Sequence, residues 1–497
     1  MNTKLLRQKI LDLAIRGKLT DQRKSDGTAR ELLEQISASR QPERSTKSAK
    51  SKDPTPIIPL NKSEAPFEIP DNWEWVKLGD VIELISGQDF PPEKYNDEKK
   101  GLPYITGASN FVDGHVLLNR WTEYPSVIAQ KNDILLVCKG SGYGNYIYAD
   151  FVKAHIARQI MAIRIETESL RSYVYHFLGS QYEALKFQGN GLVPGIARNV
   201  VLDLQIPLPP LAEQQRIVEK IEEVFAEIDA VEKNKELLKT HIKQTRQKIL
   251  DLAIHGKLVP QDENDEPASV LLEKILQEKA QSDNKKSPKK NKTTTPATSD
   301  NRPYEKVTVD VEPFEIPSLW EWVKLGNVCN PIKRGKSPKY AEKSNVLVFA
   351  QKCNQKNGSI SLEKALYLDE TTLSKYPQDE FLQMGDVVIN STGTGTLGRV
   401  GFFNEALPHD IKGIVPDSHV TTIRSSVVNS RYLYYFLKTR QPYLEENGEG
   451  STNQKELKPH TIYDLEFPFP PLAEQKRIVD KVEELFKSLD EILLHLV

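Results

Sequence analysis

Four segments of this 497-residue chain occur twice, in the same order. They pair residues 7–19 with 246–258, 32–36 with 271–275, 65–81 with 312–328, and 207–229 with 468–490. Twelve of thirteen positions are identical in the first pair and thirteen of seventeen in the third. A repeat of about 240–260 residues is much longer than a solenoid repeat. It therefore predicts two homologous domains, each with its own attached helix.

The segments between these repeats differ far more. Residues 82–202 and 329–463 share only faint landmarks, such as SYVYHFL (172–178) against RYLYYFL (431–437). We favour the interpretation that a common frame carries two different binding surfaces. Ordinary drift after duplication is the alternative, but drift alone should not leave the frame this similar.

The sequence predicts one long helix over residues 211–259. This stretch has no proline, its only glycine is Gly256, and its apolar residues recur at alternating spacings of four and three. That spacing is the pattern of a coiled coil. At ~1.5 Å per residue, such a helix would form a rod of roughly 65 Å.

The two ends of the chain repeat the two parts of this helix. Residues 472–497 match its first part, and the N-terminal residues match the rest, so that only residues 237–239 have no counterpart. Each end has a narrow apolar seam that needs a partner. We predict that both ends lie antiparallel along the central helix, meet near its middle and close the molecule around a pseudo-twofold axis. The alternative is that each end packs only on its own domain.

Composition excludes several classes of protein. No run of ~18 apolar residues is present, as a membrane span would need, and the N-terminus MNTKLLRQKI lacks a secretory signal. The scattered Cys138, Cys329 and Cys353 predict a reduced, cytoplasmic protein without a zinc cluster. Because the net charge is −2, any DNA contact must come from local basic surface or from partners.

Motifs of nucleotide-dependent enzymes fail on their context. GTGTLG (393–398) matches G-x-G-x-x-G, but RVGFF follows it and reads as a strand, whereas a dinucleotide site needs a helix there. We interpret this segment and KGSGYG (139–144) as loops of β-hairpins. RGKS (334–337) lacks the first glycine of a P-loop, because Asn330 stands at that position. The Asn/Asp-Pro-Pro-aromatic motif that binds a flipped base in methyltransferases is also absent, so we expect no catalytic site. We expect no metal site either, because the histidines at 155, 176, 409 and 419 do not stand at metal-ligand spacings with cysteine.

The repeated segments resemble the specificity subunit of Type I restriction–modification systems. The resemblance is carried by IPLPPLAEQQRIVEKIEEVF and FPFPPLAEQKRIVDKVEELF, by the paired WEWVKLG segments and by the paired RQKILDLAI helices. It implies a non-catalytic subunit that binds double-stranded DNA and two methyltransferase subunits, with restriction subunits added to that core. S-adenosylmethionine, ATP and magnesium would then belong to the partner subunits, and this chain would hold no cofactor.

With this resemblance, we expect an α+β fold of two mixed α/β target-recognition domains separated by a long antiparallel coiled-coil helical pair. The predicted divisions are an N-terminal helical segment (1–36), a flexible linker (37–64), target-recognition domain 1 (65–210), a central spacer helix (211–259), a short helical segment (260–278), a second flexible linker (279–311), target-recognition domain 2 (312–471) and a C-terminal spacer helix (472–497).

Polar loop residues are the candidate DNA contacts, because such side chains read base edges and bind phosphates. In domain 1 the candidates are Ser109, Asn110, Lys139, Ser141, Tyr143, Asn145, Tyr146, Arg158, Gln159 and Arg198. In domain 2 they are Lys352, Asn354, Gln355, Thr392, Thr394, Thr396, Arg399, His419, Thr452, Asn453 and Gln454. The tryptophans of the shared frame are expected to be core or interface anchors, namely Trp73, Trp75, Trp320 and Trp322.

Each domain is predicted to read one half of a bipartite, asymmetric DNA site, with the helical pair fixing the gap. Dimeric DNA readers place their recognition elements one helical turn, or a multiple of it, apart. The chief alternative is a two-headed protein–protein scaffold without DNA specificity. Selection of binding sites from random DNA would separate the two hypotheses.

Overall fold

The computed structural model describes residues 2–39, 56–61, 65–140, 142–188, 195–284, 313–356, 358–450 and 455–496. The chain divides into two compact units, Met1–Lys235 and Glu236–Val497. The division falls inside the long central helix, so each unit includes a part of that helix.

The first unit combines helices with short strands. Its helices are α1 (Thr3–Ile15), α2 (Ala29–Ser39), α3 (Glu168–Ser180), α4 (Tyr182–Gln188), α5 (Arg198–Leu202) and the first part of α6 (Leu211–Ile254). Its strands are β1 (Glu74–Lys77), β2 (Glu83–Ser86), β3 (Leu102–Ile105), β4 (Phe111–Val112), β5 (His115–Val116), β6 (Trp121–Thr122), β7 (Ile128–Gln130), β8 (Ile134–Val137), β9 (Tyr146–Tyr148), β10 (Lys153–Ile156), β11 (Ile160–Arg164) and β12 (Gln205–Leu208).

The second unit is built in the same way. Its helices are the remainder of α6, α7 (Ala268–Asn284), α8 (Leu325–Val328), α9 (Ser430–Glu446), α10 (Pro459–Tyr463) and α11 (Leu472–His495). Its strands are β13 (Glu321–Lys324), β14 (Ile332–Arg334), β15 (Tyr340–Ala341), β16 (Val346–Phe349), β17 (Leu366–Leu368), β18 (Val387–Asn390), β19 (Val400–Phe402), β20 (Gly413–Pro416), β21 (Val420–Ile423) and β22 (Glu466–Phe469).

The two units share the strand order of one sheet through the region in which their sequences diverge, whereas the second sheet differs in its outer strands, with the order β6-β3-β10-β7 in the first unit and β15-β17-β16-β20 in the second. One four-stranded sheet has the order β2-β11-β8-β9 in the first unit and β14-β21-β18-β19 in the second, and all its pairs are antiparallel. The other contains one parallel pair, β3 with β10 in the first unit and β16 with β20 in the second. The predicted α+β class with two homologous domains is therefore confirmed.

The repeated ends of each domain pair with each other in space. Strand β1 lies antiparallel to β12, with Trp75 opposite Pro207, and β13 lies antiparallel to β22, with Trp322 opposite Pro468. This pairing explains why residues 65–81 and 207–229 were retained together. They form one two-stranded base, and the variable sheets lie between its two strands in sequence.

Each base is fastened to the start of a long helix by a buried carboxylate. Trp73 Nε1 donates to Glu213 Oε2 (2.8 Å), and Gln22 Nε2 donates to the other carboxylate oxygen (2.5 Å). In the second unit Trp320 Nε1 donates to Glu474 Oε2 at the same distance, 2.8 Å. Both glutamates are 0 % exposed, and burial raises the pKa of each. The tryptophans are buried as anchors, as the sequence predicted.

The glycine of each GKL segment ends a helix. Gly17 and Gly256 have φ angles of +65° and +64°, a left-handed conformation that ordinary residues rarely adopt. A Cβ at either position would also lie 2.5 Å or less from a proline ring atom, of Pro70 or Pro317. The central helix therefore stops at Ile254, five residues before the predicted end.

The terminal helices pack antiparallel on α6 within their own units. Arg7 of α1 pairs with Asp229 (2.5 Å), while the chain beyond α1 contacts the beginning of α6 through Gln22. Arg246 of α6 pairs with Asp490 of α11 at the same distance, 2.5 Å. Helix α1 also contacts its own domain, because Gln8 Nε2 donates to Ser180 O (3.2 Å). The antiparallel pairing is thus confirmed inside each unit, and the meeting of the chain ends stays a prediction.

The apolar seam of α6 is buried in two stretches and not continuously. Ile221 and Ile242 are 1 % and 4 % exposed, whereas Val231 and Leu238 are 49 % and 38 % exposed. The predicted linkers also begin later than expected, because α2 extends to Ser39 and α7 to Asn284. The remaining linker segments 40–55, 62–64 and 285–311 lie outside the part of the chain that the structure describes.

Candidate nucleic-acid interface

Several loops of the first unit meet at one end of β3, β8 and β10. Ala157 N donates to Ile105 O (2.9 Å), Cys138 N donates to Gln159 O (2.7 Å), and Ile196 N donates to Cys138 O (2.7 Å). These bonds join the residues after β3 to the residues after β8, after β10 and before α5. We call residues 106–110, 138–145, 157–159 and 195–198 the first loop face.

Three cationic side chains are exposed on the first loop face. Lys139, Arg158 and Arg198 are exposed, as are Ser109 and Asn145. Two of these cations are bonded to residues in or just after strand β2, and the sequence analysis did not single out those residues. Arg158 Nε pairs with Asp89 Oδ2 (2.6 Å), and Arg198 Nη1 donates to Ser86 Oγ (3.0 Å).

Gln159 and Tyr143 lie partly buried at the rim of the same face. The Tyr143 hydroxyl donates to Lys186 O (3.1 Å), which fixes the ring against α4. A Cβ at Gly142 would lie 2.2 Å from the Cβ of Ala108, so the β8–β9 loop packs directly on the turn after β3. Ser141 lies outside the described residues.

The second unit has an equivalent face. Asp417 N donates to Phe349 O (3.0 Å), Ser391 N donates to His419 O (2.8 Å), and Leu457 N donates to Ser391 O (2.8 Å). This is the hydrogen-bond pattern of the first loop face, made by residues that share no sequence with it. We call residues 350–356, 391–399, 417–419 and 455–458 the second loop face.

Hydroxyl and imidazole groups take the place of cations on parts of the second loop face. Thr392 Oγ1 and His419 Nδ1 are 2.7 Å apart, and Arg399 donates to Asn354 O (2.8 Å) and to Gly395 O (3.2 Å). The other predicted contacts of this face are Lys352 and Thr394, which are exposed, and Gln355 and Thr396, which are partly buried. Thr452, Asn453 and Gln454 lie outside the described residues.

Ionic contacts beneath the second loop face were also missed by sequence reasoning. Arg334 pairs with Glu456, and the buried Asp417 accepts a hydrogen bond from His419 N (2.8 Å). Burial raises the pKa of the Asp417 carboxyl. Arg334 belongs to the RGKS segment, which the sequence singled out only as a failed P-loop. A pairing between residues 122 positions apart leaves no signal in a single sequence.

Three of the predicted contact residues have buried or packed side chains instead. Asn110 and Asn354 are 0 % exposed, with their side chains bonded inside the protein, so we no longer assign them to the surface that meets DNA. Tyr146 is partly buried and packs against Tyr175, with ring centroids 4.8 Å apart. Burial also raises its pKa. These three residues support the loop faces from inside.

Both glycine-rich segments form hairpin loops, as predicted. Strand β8 pairs antiparallel with β9 across residues 138–145, and β18 pairs antiparallel with β19 across residues 391–399. GTGTLG is therefore followed by a strand, which confirms that it is not a dinucleotide-binding turn. Among the residues that the structure describes, no group of three or more His, Cys, Asp or Glu could hold a metal ion. The described ranges contain no helix with the length and hydropathy of a membrane span.

Comparison with known proteins identifies the family. The model of the Type I restriction modification DNA specificity domain matches residues 70–240 and again 317–495. The chain is 27% identical to the Type I restriction enzyme EcoAI specificity subunit of Escherichia coli and 26% identical to the EcoEI specificity subunit, in each case over 98% of this chain and 90% of the relative.

Two solved structures have the same fold. The HsdS subunit from Thermoanaerobacter tengcongensis superimposes with a TM-score of 0.51 at 19% identity, over 87% of this chain and 93% of that one. A chain from a structural study of complex assembly and conformational transition in the type I R-M system gives a TM-score of 0.54 at 20% identity, over 87% and 94%. With both domain matches, which cover more than half of its residues, the chain belongs to the Type I restriction–modification DNA specificity family.

Proposed function

We propose that this chain is the DNA-recognition subunit of a Type I restriction–modification complex, and that each loop face reads one half of a bipartite, asymmetric site. The observation that carries the proposal is the presence of two loop faces with one backbone pattern and different exposed side chains. The common backbone pattern places the two loop faces in the same way on their sheets. Because their exposed side chains differ, the two faces should bind different base sequences. The comparisons do not favour the protein–protein scaffold.

The chemistry of the faces suits DNA. Lys139, Arg158 and Arg198 can contact phosphates or guanine edges, which are the commonest partners of basic side chains. On the second loop face, Thr394 and His419 offer hydroxyl and imidazole groups to base edges. Because the whole chain has a net charge of −2, these local groups and the partner subunits must supply the attraction for DNA.

We propose that α6 sets the gap between the two half-sites. It has 44 residues, which at ~1.5 Å per residue gives a length of about 66 Å. The domain divisions predicted from sequence are kept in this proposal, with linker 1 starting after Ser39 and linker 2 after Asn284. Cys138, Cys329 and Cys353 are buried and none of the three is in a disulfide, which supports work in the reducing cytoplasm.

The partners would be two methyltransferase subunits, with restriction subunits added to them. Leu211 and Leu472, the first residues of α6 and α11, are 36 % and 54 % exposed although they are large and apolar. Packing inside this chain does not require a leucine at an exposed position. Its presence at the same place in both copies suggests that one kind of partner binds twice. Catalysis and its cofactors would belong to those partners.

The partner proposal predicts that the number of bound methyltransferase subunits falls in two steps. Leu472→Glu should reduce the number of methyltransferase subunits bound per chain from two to one, and the double variant with Leu211→Glu should bind none. Native mass spectrometry of the assembled complex measures this number. Retention of two subunits by the double variant would contradict the assignment of this surface.

The recognition proposal is tested by selecting sites from random DNA with the chain and its methyltransferase. We expect one bipartite motif with a fixed gap. Replacing Arg158 and Lys139 by alanine should weaken preference in one half only, whereas Thr394→Ala and His419→Ala should weaken it in the other half only. Recovery of no bipartite motif would refute DNA recognition and support the scaffold.

A further inference from the structure

Two buried asparagines occupy the same place beneath the two loop faces. Asn110 lies five residues after the end of β3, and Asn354 lies five residues after the end of β16. Both side chains are 0 % exposed. The surrounding sequences, TGASN and AQKCN, otherwise have no residue in common at matching positions. An asparagine has thus been retained in a region where nearly every neighbour has changed.

Asn110 organises the turn that carries Ser109. Its Oδ1 accepts hydrogen bonds from Thr106 N (3.0 Å), Thr106 Oγ1 (3.1 Å) and Gly107 N (3.3 Å). Its Nδ2 donates to Leu117 O (2.8 Å) and to Asn119 Oδ1 (3.2 Å). One side chain therefore closes the turn and ties it to the segment that precedes β6.

Asn354 ties two loops of the second face together. Its Nδ2 donates to Arg399 O (2.9 Å) and to Asn390 Oδ1 (3.3 Å), while its backbone oxygen accepts from Arg399 Nη1 (2.8 Å). Asn390 Nδ2 in turn donates to Gln351 O (3.3 Å). The loop after β16 and the loop after β18 are therefore held by one buried amide pair.

Buried hydrogen-bond networks fix geometry strongly, because their polar groups have no water to replace a lost partner. Discrimination between bases needs side chains held to within about 0.5 Å of their productive position. Ser109 lies within the turn that Asn110 closes, and Arg399 is bonded to Asn354. A loosened amide would therefore move the side chains that face DNA without removing any of them.

We propose that Asn110 and Asn354 are positioning residues that set the base preference of the first and second loop faces without touching DNA. This inference rests on the proposed function. It differs from the sequence prediction, which placed both residues in contact with bases.

The two residues use their amides differently, since Asn110 bonds through both ends and Asn354 only through its NH₂ group, and this provides a chemical test. Asn110 accepts three hydrogen bonds through its oxygen, and a carboxylate at that position can still accept them. Asn354 acts through its NH₂ group, and its buried Oδ1 has no hydrogen-bond partner among the described residues. Asn110→Asp should therefore retain more base discrimination than Asn110→Ala, whereas Asn354→Asp should retain no more than Asn354→Ala.

The experiment uses the full chain assembled with its methyltransferase and measures affinity for the selected site and for every single-base change of it. We expect Asn110→Ala to reduce discrimination by about tenfold per position in one half-site only, since one good contact is worth that much. Asn354→Ala should do the same in the other half-site. If these variants fold poorly, Thr106→Val and Asn390→Ala each remove one hydrogen bond to the same amides and should relax the same halves.

Matched controls separate positioning from lost stability. Val174 and Leu433 are equivalent core residues of α3 and α9, 0 % and 1 % exposed. Val174→Ala and Leu433→Ala should lower the melting temperature and leave discrimination unchanged in both halves. Wild-type discrimination in folded asparagine variants, or an equal loss in both halves, would overturn the positioning role. A wild-type chain that selects no bipartite motif would refute the proposed function itself.

Discussion

His176 should make the first unit sensitive to acid. This residue of α3 is partly buried between the rings of Phe225 and Tyr175, with centroids 6.0 and 5.7 Å away. Burial lowers its pKa from 6.5 to about 4. The folded state therefore resists protonation, and the unfolded state binds the proton more readily between pH 6.5 and 4. Stability contributed by the neutral ring is present above pH 6.5 and is lost as the pH falls.

The size of the effect follows from the two pKa values. The pKa of His176 is 6.5 in the unfolded chain and about 4 in the folded one. Proton linkage therefore lowers the free energy of unfolding by about 1 kcal/mol between pH 7 and 5.5, and by about 2.5 kcal/mol between pH 7 and 4.5. The second unit supplies the matched variant. Tyr435 occupies the equivalent place on α9 and contacts Phe486 in the same manner, at 5.9 Å. His176→Tyr should therefore fit, at a cost below about 1.5 kcal/mol at pH 7.

The assay is hydrogen–deuterium exchange in increasing urea, read on peptides of α3 for the first unit and of α9 for the second. The free energy of unfolding of the first unit should fall more steeply with acid in the wild type than in His176→Tyr. The difference between the two proteins isolates His176, because all other titrating groups are common to both. Parallel pH profiles for wild type and variant would show that the ring is not kept neutral by burial.

Four further changes to the chain have expected results that can be measured. Asp386, with its side chain 1% exposed, makes two hydrogen bonds to Arg424 (2.6 and 2.7 Å), so Asp386→Ala should lower the free energy of unfolding of the second unit by about 3–5 kcal/mol in urea titrations. Because burial raises the pKa of Glu474, the stability of wild type relative to Glu474→Gln should increase as the pH falls from 7 toward 4.5, which thermal unfolding measures. If Lys139 contacts a phosphate, Lys139→Ala should reduce the slope of log affinity against log salt by about 0.9. Insertion of four residues after Lys235 adds about 6 Å of helix and should lengthen the permitted gap by about two base pairs without changing either half-site in a methylation assay.

The part of the structure that is common to both units was predictable because contiguous segments of the sequence occur twice. The burial of Trp73 and Trp320 and the antiparallel pairing of the helices that carry Arg7 and Arg246 were predicted from residues that recur with their neighbours. The strand pairs β1–β12 and β13–β22 join the same repeated segments, but the sequence analysis did not predict them. Glycine identity also carried real information. Gly17 and Gly256 recur because no side chain fits the left-handed turn against the proline ring.

The roles of individual loop residues were not predictable from the sequence. In the sequence, Asn110 and Asn354 look the same as an asparagine that contacts bases, because each is a polar residue in a polar loop. Only the chain fold decides that their amides face inward, where five hydrogen bonds hold the amide of Asn110 and two hold the NH₂ group of Asn354. Asp89 was overlooked because its importance depends on Arg158, 69 positions away.

Residues 82–202 and 329–463 also share structural features that a comparison of their sequences does not detect. Asp133 pairs with Arg164 in the first unit (2.8 Å), as Asp386 pairs with Arg424 in the second, and each aspartate also accepts a backbone N–H three residues before it (2.8 Å). Each clamp needs one acid directly before a strand and one arginine at the end of another strand, about 30–40 residues apart. The clamp occurs in both units although most of the positions around it differ. One scaffold can therefore carry two different loop faces, and the part proposed to read DNA lies where the sequence comparison is weakest.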